Sequence, residues 1–184
     1  VVWSSQPSND QNIDGQVFDA NGVAVGEEFR INEASSNHQG RPAIVGLAGG
    51  GFAVAWEDEG LDNNGTAIGL RFFDELGQAQ TDTVQANSYT MNSQWRPAVG
   101  ALSNGGVQVV WQSSHQWDSP DDFGIYQRGF SASGAPLGGA DALVNTIVGD
   151  QQYEPSIAVG ASGIFVAWSS STNGAAGDLR GQAF

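Results

Sequence analysis

One stretch, Arg41 to Phe73 (RPAIVGLAGGGFAVAWEDEGLDNNGTAIGLRFF), constrains the fold more than any other feature, because the rest of the chain copies it. Each copy runs through a short apolar segment behind a proline, a glycine turn, and a second apolar segment ending in tryptophan. A polar loop and a third apolar segment ending in phenylalanine follow. The same order returns at Arg96–Phe130 and Glu154–Phe184, and its second half opens the chain at Val1–Phe18. A chain built this way must place equivalent residues in equivalent surroundings several times over.

Trp3, Trp56, Trp111 and Trp168 are 53, 55 and 57 residues apart and end the runs VVW, FAVAW, VQVVW and IFVAW. Alternation of β-branched and aromatic residues over five positions is a strand signal. Beyond the polar loop an aliphatic residue precedes phenylalanine by five positions: Ile13/Phe18, Ile68/Phe73, Ile125/Phe130 and Leu179/Phe184. Gly22, Gly77 and Gly134 follow four residues later and read as hairpin turns. Asn32, Asn87 and Asn145 each stand ten residues before a proline (Pro42, Pro97, Pro155), and each proline is expected to open a strand. One unit is therefore a proline strand, a tryptophan strand, a phenylalanine strand and a weaker fourth (GEEFRIN, TDTVQAN, DALVN).

Four antiparallel strands in about 55 residues form the unit of a β-propeller blade. The expected fold is all-β, with about three and a half propeller-type repeats in a single repeat domain over residues 1–184. Its units are 1–40 (partial), 41–95, 96–153 and 154–184 (partial). A β-sandwich or a linear array of small sheets fits the same strand pattern. Three and a half units fall short of the roughly four to eight blades that close a ring. The incomplete ends are expected to meet further blades or other copies of the chain, a homo-oligomer among the outcomes.

Charge narrows the partners. Twenty acids against six arginines and no lysine leave a net charge of −14, which removes the basic footprint that nucleic acid requires and disfavours anionic membrane surfaces. No apolar run reaches the roughly 18 residues of a membrane helix, so no membrane insertion is expected. Without cysteine there are neither disulfides nor a thiol nucleophile. The chain opens without Met inside an apolar run, as expected of a mature fragment or an excised piece.

Two sets of residues carry a resemblance. Gly124, Ile125, Tyr126, Gln127, Phe130, Gly134 and Gly138 form one; Gln39, Pro42, Val45, Leu47, Gly50, Gly51, Phe52, Val54 and Trp56 form the other. Together they resemble the tandem repeats of very large bacterial secreted or cell-surface proteins, adhesin-like chains that often carry hemolysin-type calcium repeats as well. The resemblance implies an extracellular or cell-surface setting and an adhesive or scaffolding role, with no defined activity. The calcium nonapeptide G-G-x-G-x-D of such proteins is absent here.

Chemistry is sought where the copies differ. Half of the 20 acids lie in the four loops after the tryptophans, and hard oxygen ligands of this kind suit Ca2+. Asp58, Asp62 and Asn63, with Glu57 and Asn64 beside them, are one candidate set; Asp118, Asp121 and Asp122 are another. Asp, Asn and Gly are equally the ordinary residues of solvated turns. The second candidate precedes the prolines: Gln39 and Arg41, then Gln94, Trp95 and Arg96, then Gln152 and Tyr153. An amide, an aromatic plate and a guanidinium together suit a sugar, and the competing account is that they tie down the loop entering the strand. The four repeated tryptophans read as core plates. Arg71 and Arg128 read as a structural ladder. His38 and His115 belong to no metal spacing, and no nucleophile motif appears. The expected function is a non-enzymatic extracellular binding or scaffolding module, with glycans or other copies of the chain as partners. A lectin-like propeller, a fibre subunit and a glycosidase using loop carboxylates are the alternatives.

Overall fold

The computed structural model describes residues 1–6, 10–33, 37–116, 123–171 and 177–184. Every expected alternating run is a strand, and the strands form four antiparallel meanders in chain order. The first holds β1 (Val2–Ser5), β2 (Asn12–Phe18) and β3 (Ala24–Arg30). The second holds β4 (Gln39–Gly46), β5 (Phe52–Asp58), β6 (Ala67–Phe73) and β7 (Val84–Gln85). The third holds β8 (Gln94–Ala101), β9 (Val107–Ser114), β10 (Phe123–Phe130) and β11 (Pro136–Leu143); the fourth holds β12 (Gln151–Gly160), β13 (Gly163–Ser171) and β14 (Asp178–Ala183). The proline strands β4, β8 and β12 neighbour one another, with β1 beside β4, so they line the axis of a propeller-type array. This arrangement decides against a sandwich or a linear row of sheets.

Blade packing follows one rule. The isoleucine face of each sheet receives the tryptophan face of the next. Ile13 and Ile31 cluster with Val54, Trp56 and Phe73. Ile68, Leu70 and Phe72 cluster with Val107, Val109 and Trp111, and Ile125 and Val144 with Val166 and Trp168. Full burial of such side chains stabilises by about 1.5–3 kcal/mol each, so these faces are the core. Trp56 lies flat on Gly69, its partner across the ladder; a Cβ there would stand 2.5 Å from the indole ring. Leu179, the fourth blade's counterpart of the buried isoleucines, is 83% exposed.

Polar ties repeat as faithfully as the apolar faces. Oδ1 of Asn32, Asn87 and Asn145 accepts the backbone N–H of Ile13, Ile68 and Ile125 at 2.7–2.8 Å. Asn32 and Asn87 then donate to the side-chain carbonyls of Gln39 and Gln94 at 3.0 and 2.8 Å, linking each fourth strand to the next proline strand. Gln152 accepts Trp168 Nε1 at 2.6 Å instead. Arg71 and Arg128 donate to the carbonyls of Ile31 and Ala86 in the preceding blade, the structural role expected of them. The hairpins turn on Gly22, Gly77 and Gly134, all near φ +80°, and Asp19 and Asp74 cap two of them through backbone N–H groups.

Two local expectations need correction. The prolines do not open their strands: β4 and β8 begin three residues earlier, and each proline falls at a break in the ladder. A missing N–H is harmless at such a bulge. The fourth strand of the second blade shrinks to Val84–Gln85, because Thr81 supplies bonds to β6 by other routes: its hydroxyl accepts Phe72 N–H and its carbonyl accepts Arg71 Nε.

Candidate functional site

The register places both sequence candidates at one end of the array. Gln39 pairs with Asp58, Gln94 with Ser113 and Gln151 with Ser171, so the loops after the tryptophan strands and the segments before the prolines share that end. The bulge is what makes the end a site. Arg41, Arg96 and Glu154, each directly before a proline, adopt φ of +48°, +53° and +53°. A left-handed conformation costs a non-glycine residue about 1–2 kcal/mol, and the position before proline favours extended backbone besides. Glycine would hold these three bulges with less strain. Charged residues stand there in all three proline segments, and strain retained at a recurring position marks a functional candidate.

Arg41, Arg96 and Glu154, with Pro42, Pro97, Pro155 and Ser156, line an open axial hollow of about 550 Å³. A second carboxyl joins them. Glu57 pairs with Gly40 across β4 and β5, and its Oε1 accepts the backbone N–H of Arg96 at 2.8 Å and lies 3.4 Å from Arg41 Nε. The Arg96 guanidinium pairs with Glu154 Oε1. Arg96 therefore touches both carboxyl groups, one through its backbone and one through its side chain. Their environments differ. The Glu57 side chain is 16% exposed and that of Glu154 60% exposed. Burial pushes the Glu57 carboxyl above the ordinary glutamate value, against the Arg96 N–H and the Arg41 and Arg96 charges, which pull it down.

Beside the hollow three half-buried rings meet across the third and fourth blades. Trp95 lies edge-on to Phe123 at 5.8 Å, and Phe123 is tilted toward Tyr153 at 5.8 Å. Phe123 carries no repeat signal in the sequence, because it sits at the end of a polar loop. Glu154 stands at the repeat position of Arg41 and Arg96, so a charge recurs there with only its sign changed.

The remaining candidates fall elsewhere. Gln39, Gln94 and Gln152 are fully buried and hydrogen-bonded into the framework. Asp58 is buried too, accepting Trp56 Nε1 at 3.0 Å on one oxygen and Gly60 N–H at 2.9 Å on the other. Asp62 accepts the Asn64 N–H, and Asn63 takes a left-handed turn conformation. Among the described residues no three His, Cys, Asp or Glu side chains converge as a metal site. Asp118, Asp121 and Asp122 lie outside the described residues.

Fold and site together define a β-propeller with a charged, aromatic-flanked axial mouth. The protein is similar in structure to the endo-arabinase from Bacteroides thetaiotaomicron VPI-5482, with a TM-score of 0.55 and 12% identity over 95% of this chain and 66% of that one. It is also similar to a thermostable family-43 glycoside hydrolase (TM-score 0.52, 13% identity, 98% and 69% covered) and to the α-L-arabinofuranosidase from Lactobacillus brevis (0.52, 12%, 100% and 72%). The chain thus spans about two thirds of their lengths. No family model and no curated protein matches the sequence. At these identities the likeness establishes the fold. It also overturns the expectation of a non-enzymatic scaffolding module: all three are named as enzymes, and none is named as an adhesin. The physical reason is visible at Glu57, which the sequence placed among solvated loop acids. It is the penultimate residue of a buried strand, and its carboxyl is desolvated.

Proposed function

We propose that this chain is a carbohydrate-active propeller of the glycosidase type, binding a glycan in the axial hollow and cleaving its glycosidic bonds there. The observation that carries the proposal is the pair of unlike carboxyl groups on Arg96. Glycoside hydrolysis needs one carboxyl that holds a proton and one that stays ionised. Glu57 suits the first role: burial raises its pKa, and with Oε1 accepting the Arg96 N–H its proton belongs on Oε2, free to pass to a leaving-group oxygen. Glu154, exposed and paired with a guanidinium, suits the second, either activating water or countering the positive charge that develops at the anomeric carbon. The rings of Trp95 and Tyr153 offer apolar faces for sugar stacking. An extracellular setting fits a polymeric substrate.

The test is release of reducing ends from a panel of arabinans, arabinosides and other plant and microbial polysaccharides. Glu57→Gln and Glu154→Gln should each abolish release while both variants keep the wild-type β-sheet circular dichroism. Absence of cleavage across the panel by the folded wild type would refute hydrolysis. A second reading, glycan binding without turnover, is favoured by the Trp95–Phe123–Tyr153 row. Affinity electrophoresis through polysaccharide gels tests it, and retardation that Trp95→Ala removes would support it.

A further inference from the structure

We infer that Arg41 is an anion fork in the axial hollow and that the glycan it receives bears a carboxylate, as a uronic acid does. The inference rests on the proposed carbohydrate reading of the same site. Six arginines are the only basic side chains beside the two histidines, and four of them are held by hydrogen bonds or a short ion pair. Arg30 is bonded to Asp14 at 2.7 Å. Arg71 and Arg128 bolt blades together through backbone carbonyls. Arg96 pairs with Glu154. Arg180, 3.9 Å from Asp178, lines a different hollow with Gln152 and Trp168.

Arg41 differs. Its side chain is 59% exposed, and its one ion pair among the described residues is a loose 3.4 Å approach of Nε to Glu57 Oε1. That oxygen already accepts the Arg96 N–H. The contact orients the guanidinium without satisfying it, leaving the two terminal nitrogens of a planar five-donor group open to the hollow. Such an edge matches a carboxylate through two parallel hydrogen bonds, a geometry that lysine cannot supply. The residue also holds the left-handed bulge conformation, so the fold tolerates local strain to present this side chain.

The rest of the surface sharpens the choice. With a net charge of −14 the protein repels densely anionic polymers at long range. A ligand with an isolated carboxylate on an otherwise neutral sugar chain avoids most of that repulsion. It gains the fork, with Arg96 and Glu154 as the other charged side chains among the described residues that line the hollow and Glu57 in contact with Arg41.

Calorimetric titration of the whole chain separates the possibilities, using a neutral oligosaccharide that bears a single glucuronate, the same oligosaccharide without it, and inorganic phosphate. The uronide should bind most tightly and weaken with added salt. Arg41→Ala should weaken it by about tenfold to a hundredfold, and Arg41→Lys should recover only part of the loss. Neutral-sugar affinity should fall by a smaller factor than uronide affinity in both variants. Equal wild-type affinity for neutral and acidic sugars would overturn the fork and leave the carbohydrate reading standing. Binding of phosphate but of no sugar would overturn the sugar carboxylate as the ligand, and silence toward every sugar would remove the carbohydrate reading with it.

Discussion

Glycine and alanine at position 96 should rank in the reverse of their usual strand order. In an extended strand interior, glycine is less stable than alanine by about 0.5–1 kcal/mol, because it loses more backbone freedom on folding. Arg96 lies in β8 at φ +53°, where a β-carbon costs about 1–2 kcal/mol and glycine pays nothing. Both variants lose the same ion pair to Glu154, which is partly exposed on both sides (37% and 60%) and contributes at most about 1 kcal/mol. Both keep the backbone N–H that Glu57 accepts. The difference between them therefore isolates the bulge: Arg96→Gly should exceed Arg96→Ala by about 1 kcal/mol, a melting shift of about 2–4 °C for a chain of this size. Arg96→Gly itself should lie within about 1 kcal/mol of wild type, since relief of strain offsets the lost pair. Thermal and urea melts of the three proteins are sufficient. If alanine equals or surpasses glycine, the left-handed bulge is not strained and the case for a functional charge at that position fails.

Further perturbations probe the packing rule and the buried carboxyl. Ile68→Ala should cost about 2–5 kcal/mol, whereas Leu179→Ala, at the equivalent repeat position but 83% exposed, should change stability by no more than about 0.5 kcal/mol; denaturant midpoints compare them directly. Gly69→Ala should cost about 1–3 kcal/mol, because its Cβ meets the Trp56 ring at 2.5 Å, and a change in tryptophan fluorescence should accompany the lower midpoint. Glu57 has its pKa raised by folding, so its contribution is fully present below the unfolded value and is lost as pH rises through the folded one. Glu57→Gln removes that dependence. Relative to the variant, wild type should lose stability from about pH 4 upward, and parallel stability–pH curves would contradict the buried setting.

Sequence and structure contribute different parts of this picture, and particular residues mark the division. Pro42, Trp56, Ile68, Phe73 and Gly77 recur in the same order, so strands, turns and blade order were legible without coordinates. Each of those signals is local: alternation, a turn glycine, a missing N–H. The repeat also separated framework from variable positions, and it drew attention to Arg41 and Arg96 before their surroundings were known.

The rest depended on contacts that no local pattern encodes. Whether a glutamine before the proline meets solvent or the Asn–Gln–Trp framework is set by the neighbouring blade, and there Gln39 and Gln94 became structural. Asp58 and Glu57 are adjacent in an acidic run, yet strand pleating sends one to Trp56 and the other to Arg96. Arg96 and Glu154 are 58 residues apart and meet only because proline strands of successive blades line one axis. By itself the amino-acid order determined repeated four-stranded units, and the neighbouring of their proline strands decided for a propeller-type array over a sandwich or a linear row. Packing of one blade's isoleucine face on the next blade's tryptophan face decided which charges share the mouth, because that packing sets the distance and angle between strands the chain keeps far apart.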